Sequence, residues 1–392
     1  MKNCNISSWP NYSEEEIEAV KKVLLSNKVN YWTGTECREF EKEFARWCTT
    51  KYAIAVANGT VALDLALKAI DISEGDEVIV TSRTFIASVS SIINARATPI
   101  FADVDRGSQN ITVDTIRKVI SSKTRAILCV HLAGWPCDMD SIMALAEKHG
   151  LYVIEDCAQA HGALYKGQAV GSIGHIGAWS FCQDKIMTTG GEGGMVTTSD
   201  HELWSKMWSY KDHGKSWKAV YETKHPPGYR WLHDSFGTNW RMTEMQAAIG
   251  RIQLKRMPQW HKLRSQNAKK ILDVAEQFPN VLRTPRPSQE IEHAWYKAYL
   301  FIKSEGLSPG WSRDRIIEEI NSDGVPCFSG SCSEVYLEKS FDNTKFRPAK
   351  RLLVAKELGE TSLMFLVHPT LSKDEIDFTT NIIKEVMLRA SQ

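Results

Sequence analysis

Apolar and polar positions follow two periodicities along the first half of the chain. Short apolar runs are typical of buried strands, and they occur at 52–57, 77–81, 99–102, 124–130 and 152–154. Between these runs, apolar residues recur every three or four positions. This spacing predicts helices at 61–70, from after Phe85 to Asn94, and at 138–149. Strands that alternate with helices favour a parallel sheet covered on both faces. We therefore expect an α/β fold with a mostly parallel central sheet.

The residues before this alternation have a helical pattern of their own. Ser13 and Glu16 form a capping box, which predicts a helix from there to about residue 26. A second helix is expected over 35–48, because Phe40 and Phe44 fall on one face. These two helices form an N-terminal arm ahead of the first strand.

The pattern changes after a further expected strand at 192–198 and a helix at 202–211. Residues 211–234 are polar, lack periodicity and contain several aromatic side chains, so we expect a long loop there. Two helices follow, at 243–257 and 259–278, and Pro258 separates them because proline ordinarily ends a helix.

Beyond Pro279 the composition shifts again. Prolines are followed by a mixture of expected elements, namely a strand at 293–303, a helix at 312–322, a strand at 362–367 and a helix at 373–388. Few strands and mixed order fit a small α/β unit. We therefore predict a large domain over 1–257, with the N-terminal arm, and a linking helix with a small C-terminal domain over 258–392.

Composition narrows the function classes. The chain has 392 residues, of which 43% are hydrophobic and 24% charged, as in an ordinary globular protein. A net charge of +1 gives no electrostatic basis for binding nucleic acid or an anionic membrane. The sequence start lacks the apolar core of a signal peptide, and no uncharged apolar run is long enough for a membrane span. Nine scattered cysteines then indicate reduced thiols in a cytoplasmic protein.

The candidate chemistry is concentrated between Leu151 and Met195. Glu155 and Asp156 follow an expected strand at its carboxyl end, which is where ligands bind in open α/β sheets. Lys185 follows a second expected strand, at 178–181, and precedes a glycine-rich turn. Pyridoxal 5′-phosphate (PLP) enzymes need such a pair, a lysine amine and a carboxylate against the ring nitrogen. An acid after a strand can equally be a helix cap, and a lysine among glycines a solvated charge, so spacing alone leaves both interpretations open.

A longer motif makes the interpretation specific. The strings EDCAQAHGA and SFCQDKIMTTGGEGGMV resemble, almost position by position, the DegT/DnrJ/EryC1/StrS family of sugar aminotransferases. The resemblance implies a fold-type-I PLP transferase, with a large PLP-binding domain and a smaller C-terminal α/β domain. The Cys182-Gln183-Asp184 lead-in to the lysine is less usual for the family.

The resemblance assigns roles to four residues of this stretch. It implies that Asp156 binds the ring nitrogen of the cofactor and that Gln159 lies near its phenolic oxygen. It further implies that Ser180 contacts the phosphate. Lys185 is expected to bind the cofactor covalently and to act as general base and acid during proton transfer.

Four more positions complete the expected cofactor site. A strand, a glycine turn and a helix make an anion-binding geometry around Gly59 and Thr60, which resemble the family's phosphate contacts. Phe85 matches the aromatic residue that stacks on the pyridine ring. Asn239, in a motif that resembles Asn-x-Arg-Met, would reach the phosphate of the neighbouring subunit, which implies a homodimer with shared active sites.

The resemblance also implies the substrates. These are a nucleotide-linked keto-sugar and an amino donor, glutamate by analogy with the family, with pyridoxamine phosphate as the intermediate form of the cofactor. The expected sugar contacts are aromatic or imidazole side chains, and the candidates are Trp217, Tyr221, Tyr229 and His293. Cys327 and Cys332 lie in a segment that departs from the family pattern, and without matching partners they predict no metal site.

Two other functions stay open at this point. A related PLP-dependent lyase or synthase would remove water or aromatise a ring, although the dehydratase branch replaces the lysine with histidine and this chain keeps Lys185. A non-catalytic regulatory relative would keep the fold alone. Detection of amine transfer or of water loss separates these alternatives from the aminotransferase.

Overall fold

The computed structural model describes residues 6–391, and its main helices and strands match the predicted periodicities. The helices are α1 Glu14–Leu25, α2 Glu36–Trp47, α3 Gly59–Ala69, α4 Ala87–Asn94, α5 Val113–Arg117, α6 Met139–His149, α7 His201–Lys211, α8 Glu244–Ala275, α9 Arg313–Ser322, α10 Leu353–Thr361 and α11 Lys373–Ala390. Within the described part of the chain, none of these helices combines the length and apolarity needed to cross a bilayer.

The strands form three sheets. They are β1 Tyr52–Val56, β2 Glu77–Thr81, β3 Thr98–Ala102, β4 Thr124–Val130, β5 Tyr152–Asp156, β6 Leu164–Tyr165, β7 Gln168–Ala169, β8 Ile176–Ser180, β9 Gly194–Thr198, β10 Leu282–Arg283, β11 Ile291–Glu292, β12 Ala298–Ile302, β13 Cys327–Phe328 and β14 Ser362–Phe365. The largest sheet has seven strands in the order β1-β9-β8-β5-β4-β2-β3.

The central sheet is parallel except for one strand. The pairs β2–β3, β2–β4, β4–β5 and β5–β8 are parallel, whereas β9 runs antiparallel to both β8 and β1. The expectation of a mostly parallel α/β sheet is therefore confirmed. Because β1, β2, β4, β5 and β8 run in one direction, the loops at their carboxyl ends share one edge of the sheet.

Alternate residues of single strands face different hydrophobic clusters, which shows that the sheet is covered on both faces. Val78 and Val80 pack into a cluster that includes α3 and α7, whereas Ile79 between them packs into a cluster with α6. This is the two-residue period of a strand buried on both sides.

A second, four-stranded antiparallel sheet forms late in the chain, in the order β10-β12-β14-β13. A separate hydrophobic cluster between residues 268 and 390 packs it against α9 and α11. The expected strand at 293–303 is shorter than predicted: it begins at Ala298, because Trp295 has a left-handed backbone with a φ of 50° that strand geometry excludes.

The predicted helix break at Pro258 is wrong. Helix α8, which is 32 residues long in total, continues through the proline without a break. Proline inside a helix removes a hydrogen bond and crowds the carbonyl four residues back, at about 3 kcal/mol. Leu254, Met257 and Trp260 are buried on both sides of it, and we attribute the continuity to this packing. The expected boundary between 257 and 258 therefore falls inside a helix, and the division into two domains stays a prediction.

Candidate active site

A cavity of about 570 Å³ opens at the carboxyl edge of the central sheet. Seven of the eight expected cofactor residues line it, a set that we call the strand-end cradle: Gly59, Thr60, Phe85, Asp156, Gln159, Ser180 and Lys185. The parallel topology explains their meeting, because each follows the end of a strand or begins the next helix. The eighth expected residue, Asn239, is exposed and does not line this cavity.

The two acids at the end of β5 have different surroundings. Glu155 is fully buried and points away from the cavity. Its carboxylate accepts hydrogen bonds from the backbone N–H groups of Gly171, Ile173 and Gly174, and it is 2.9 Å from His131 Nε2. These contacts exhaust its hydrogen-bonding capacity. Glu155 therefore fixes the connection between β7 and β8.

His131 belongs to this buried network. Its Nδ1 accepts from the backbone N–H of Cys137, so its proton is on Nε2, directed at Glu155. His131, Glu155 and Cys157 place donor atoms within 4.8 Å of one another. The imidazole and carboxylate atoms already hydrogen-bond to protein groups. We therefore assign His131 and Glu155 a structural role and not that of metal ligands.

Asp156, in contrast, lines the cavity. Its Oδ2 accepts from Ser88 Oγ at 2.8 Å and its Oδ1 from the backbone N–H of Ala158 at 3.1 Å. Burial raises the pKa of this carboxyl group, while the hydrogen bonds and the charge of Lys185 oppose the rise. A buried carboxylate with one open side is suited to a cationic N–H donor, and a protonated pyridine nitrogen is such a group.

The start of α3 forms an anion site on another wall. Asn58 caps the helix by accepting from the backbone N–H of Val61. The N–H groups of the first turn have no partner inside a helix, and the helix dipole favours an anion there. A Cβ atom on Gly59 would lie 2.5 Å from Ser180 Cβ, so glycine is required for this close approach. The Ser180 hydroxyl and the helix N-terminus thus face one space suited to a phosphate.

Lys185 is held by contacts that the sequence did not reveal. Its Nζ is 3.7 Å from Asp184 Oδ1 and 5.2 Å from the centre of the Tyr296 ring. The Tyr296 hydroxyl donates to Asp184, and the Trp9 indole N–H donates to the Lys185 backbone carbonyl at 2.7 Å. An acid next to the lysine was the only local signal for this arrangement, since Trp9 and Tyr296 are distant in sequence.

Gln159 is oriented by a loop with unusual backbone geometry. Its Oε1 accepts from the backbone N–H of Ala133 at 2.7 Å. Ala133 has a φ of 57°, and backbone bonds join residues 133–134 to residues 294–296, where Trp295 is also left-handed. Left-handed non-glycine residues concentrate at functional sites. The amide of Gln159 is therefore positioned by a paired, strained loop.

Phe85 is unusually exposed for an aromatic residue, as expected of a side chain that contacts a bound ligand. Its ring lies on the cavity wall and is 67% exposed. Large aromatic residues are normally much more buried. A flat heteroaromatic ring in the cavity would cover it. The cavity thus combines an amine, a carboxylate, an anion site and an open aromatic face, and this set fits the four parts of PLP.

The expected sugar contacts do not line this cavity within one subunit. Trp217 is half-buried, and its ring is 4.3 Å from that of Tyr221. Tyr229 is 77% exposed, and its ring centre is 4.9 Å from that of Trp231. His293 is buried: its Nδ1 accepts from the backbone N–H of Trp295, and burial lowers its pKa to about 3.

Three of these aromatic residues belong to a long segment, residues 212–238, that we call the aromatic loop. Residues 211–234 were predicted as a loop, and the structure places one short π-helical turn there, Lys218–Glu222. At its base Asp212 is buried and accepts from Arg241 at 2.9 Å and from Lys215 at 2.9 Å. A backbone bridge joins Asp212 to Asn239. Asn239 is thus an exposed residue whose backbone is held in place by this bridge.

Comparisons with known proteins identify the family of the chain. A family model described as the DegT/DnrJ/EryC1/StrS aminotransferase family matches residues 10–384. A GDP-perosamine synthase of Escherichia coli O157:H7 is 40% identical, with 96% of each chain covered. The crystal structure of an aminotransferase from Psychrobacter cryohalolentis is 66% identical with a TM-score of 0.98, covering 99% of this chain and 100% of that one. DesV of S. venezuelae is 30% identical with a TM-score of 0.85, covering 95% and 94%.

Proposed function

Because the chain belongs to the DegT/DnrJ/EryC1/StrS aminotransferase family, we propose that it uses PLP to transfer an amino group to a nucleotide-linked keto-sugar. Aminotransferases of this family are of the PLP type, and relatives over the whole chain act in deoxyamino-sugar biosynthesis. The observation that carries the proposal is the meeting of Lys185 and Asp156 at one cavity. We propose glutamate as the amino donor.

The cofactor, when bound, supplies an electron sink for the carbanion that forms at the substrate carbon. Asp156 holds a proton on the ring nitrogen, because its burial disfavours a bare carboxylate without a cationic partner. The first turn of α3 and the Ser180 hydroxyl would hold the phosphate, and Phe85 would contact the ring. Lys185 would hold the cofactor through Nζ, and its amine would move a proton to and from the substrate carbon.

We also propose that the active unit is a homodimer. The motivation is the position of Asn239, which is exposed, firmly anchored and outside its own subunit's cavity. The aromatic loop next to it exposes Tyr229 and Trp231, at 77% and 83%, without burying them in their own subunit. A partner subunit that covers this loop would bring Asn239 to the neighbouring cavity.

The proposal has a direct experimental test. The purified protein is incubated with glutamate and a panel of GDP-, dTDP- and UDP-linked keto-sugars, and products are identified by mass spectrometry. We expect gain of an amino group on one member of the panel and an absorbance band of the lysine-bound cofactor. Water loss without amine gain, or a band unchanged in Lys185→Ala, contradicts the proposal.

A further inference from the structure

One buried cation near the active site lacks the counter-charge that such a group needs. Arg264, on α8, is 1% exposed, and its Nε and Nη2 atoms have no hydrogen-bond partner among residues 6–391. Only Nη1 is within reach of acceptors, the backbone carbonyls of Trp295 and Tyr296, both at 3.4 Å. Burial lowers its pKa to about 9. Buried polar groups without partners are rare, and a functional role or a bound ion or water are among the explanations for them.

A second cation lies beside it. Lys297 directly follows the carbonyl that Arg264 approaches, and no ion-pair or hydrogen-bond partner for its Nζ occurs within the described residues. Burial, together with the charges of Arg264 and Lys185, lowers its pKa to about 8. Its Nζ is 4.8 Å from the centre of the Tyr296 ring, the same ring that Lys185 Nζ approaches to 5.2 Å. The Nζ atoms of Lys297 and Lys185 therefore lie no more than about 10 Å apart.

The acid in this group cannot neutralise both cations. Asp184 accepts from the Tyr296 hydroxyl through Oδ2 and is 3.7 Å from Lys185 through Oδ1. Its charge acts on Lys297, but no contact within 4 Å joins the two in the described residues. The region between Tyr296 and α8 therefore carries excess positive charge beside the reacting amine.

We propose that Lys297, with Arg264 behind it, binds a carboxylate of the amino donor. This assignment rests on the proposed aminotransferase function. In an amino acid, the α-carboxylate is attached to the carbon that bears the reacting amine, so it must lie next to Lys185. The diphosphate of a nucleotide-linked sugar is separated from an aminated ring carbon by the sugar itself. Lys297 supplies a direct charge-assisted contact, and Arg264 supplies a second positive charge.

The test compares Lys297→Met with Lys384→Met, which removes an exposed lysine of α11 outside this group. In the holoenzyme, KM for glutamate is measured at saturating keto-sugar, and KM for the keto-sugar at saturating glutamate. We expect Lys297→Met to raise KM for glutamate roughly 10- to 100-fold, the range of a charged hydrogen bond, with the sugar KM unchanged. Lys297→Arg should restore most of the loss, and Lys384→Met should behave as wild type.

A binding measurement separates this inference from the proposed function. Glutarate has two carboxylates but no amine, so it cannot react, and its Kd is measured calorimetrically on the holoenzyme. We expect Lys297→Met to weaken glutarate binding by a similar factor. An increase confined to the sugar KM would assign the cations to the diphosphate, and unchanged glutamate and glutarate constants would remove the subsite. If the wild type binds glutarate through Lys297 but aminates no sugar, only the proposed sugar substrate fails.

Discussion

The strand-end cradle and the aromatic loop differ in how their side chains are held. Asp156, Gln159 and Ser180 are buried at the ends of strands or in the loops that follow, and each makes a hydrogen bond to its own subunit. In the aromatic loop, Tyr229 and Trp231 pack mainly on each other and face outward. The cradle is complete within one chain, whereas the loop offers contact surface that one chain leaves uncovered.

From this difference we expect the cradle to carry out the reaction and the aromatic loop to select the sugar substrate. Groups that must hold a ring and move a proton within a few tenths of an ångström are placed on rigid elements. Groups that choose among substrates are commonly on loops, which can vary without disturbing the sheet. We therefore expect changes in the cradle to reduce the rate of the chemical step. Changes in the loop should affect the affinity for the sugar.

The largest effect is expected from Lys185→Ala. Loss of the amine removes the proton carrier, and such groups contribute roughly 10²–10⁴-fold to a rate. We expect kcat to fall by at least that factor and the absorbance band of the lysine-bound cofactor to disappear, with an unchanged circular dichroism spectrum. Activity near the wild-type level would show that another amine performs the chemistry.

The adjacent acids should respond in opposite ways. Asp156→Asn keeps the shape and the Ser88 contact but removes the charge at the ring nitrogen, so we expect kcat to fall by about 10²-fold. Because burial disfavours that charge, the stability of the apoprotein should stay the same or increase.

Glu155→Gln provides the matched change at the neighbouring position. The amide would direct an N–H group at the backbone donors that now bind the carboxylate. We expect the free energy of unfolding to fall by about 3 kcal/mol in urea denaturation. Equal effects of the two substitutions on stability would contradict the division of roles within the pair.

A mixing experiment tests whether the active site is shared. Asn239→Asp places a carboxylate where the partner's phosphate is expected, so Asn239→Asp and Lys185→Ala should each be nearly inactive. Equal mixtures that are allowed to exchange subunits should recover about one quarter of wild-type activity, because half of the dimers are mixed and each has one intact site. No recovery in chromatographically verified mixed dimers would place Asn239 outside the partner's site.

The smallest effect is expected in the aromatic loop. Tyr229→Ala should raise KM for the keto-sugar several-fold, because about 1 kcal/mol of stacking energy is lost. The free energy of unfolding should stay within about 0.5 kcal/mol of that of the wild type. Tyr152→Ala, at the opposite end of β5 from the cavity, is the control and should leave KM unchanged. A loss of stability in Tyr229→Ala would indicate that the loop is part of the folded core.

The meeting of the seven cradle residues at one cavity follows from local sequence, whereas their roles toward a cofactor stay predictions. Each cradle residue follows an apolar run, and parallel topology brings strand ends together without further information. The surroundings of Lys185 were not predicted, because Trp9 and Tyr296 reach it through tertiary packing and have no nearby motif. The helix through Pro258 was mispredicted for a related reason: burial on both sides of the proline outweighs a local preference.

We propose that Lys185 and Asp156 hold the same cofactor ring. Borohydride reduction of the purified holoenzyme fixes the cofactor to the amine that binds it, and peptide mass spectrometry then locates the modified residue. We expect the pyridoxyl group on Lys185 in wild type, and in Asp156→Asn on the same residue at lower occupancy. Modification of a different lysine, or undiminished occupancy in Asp156→Asn, would show that these two residues do not hold one ring.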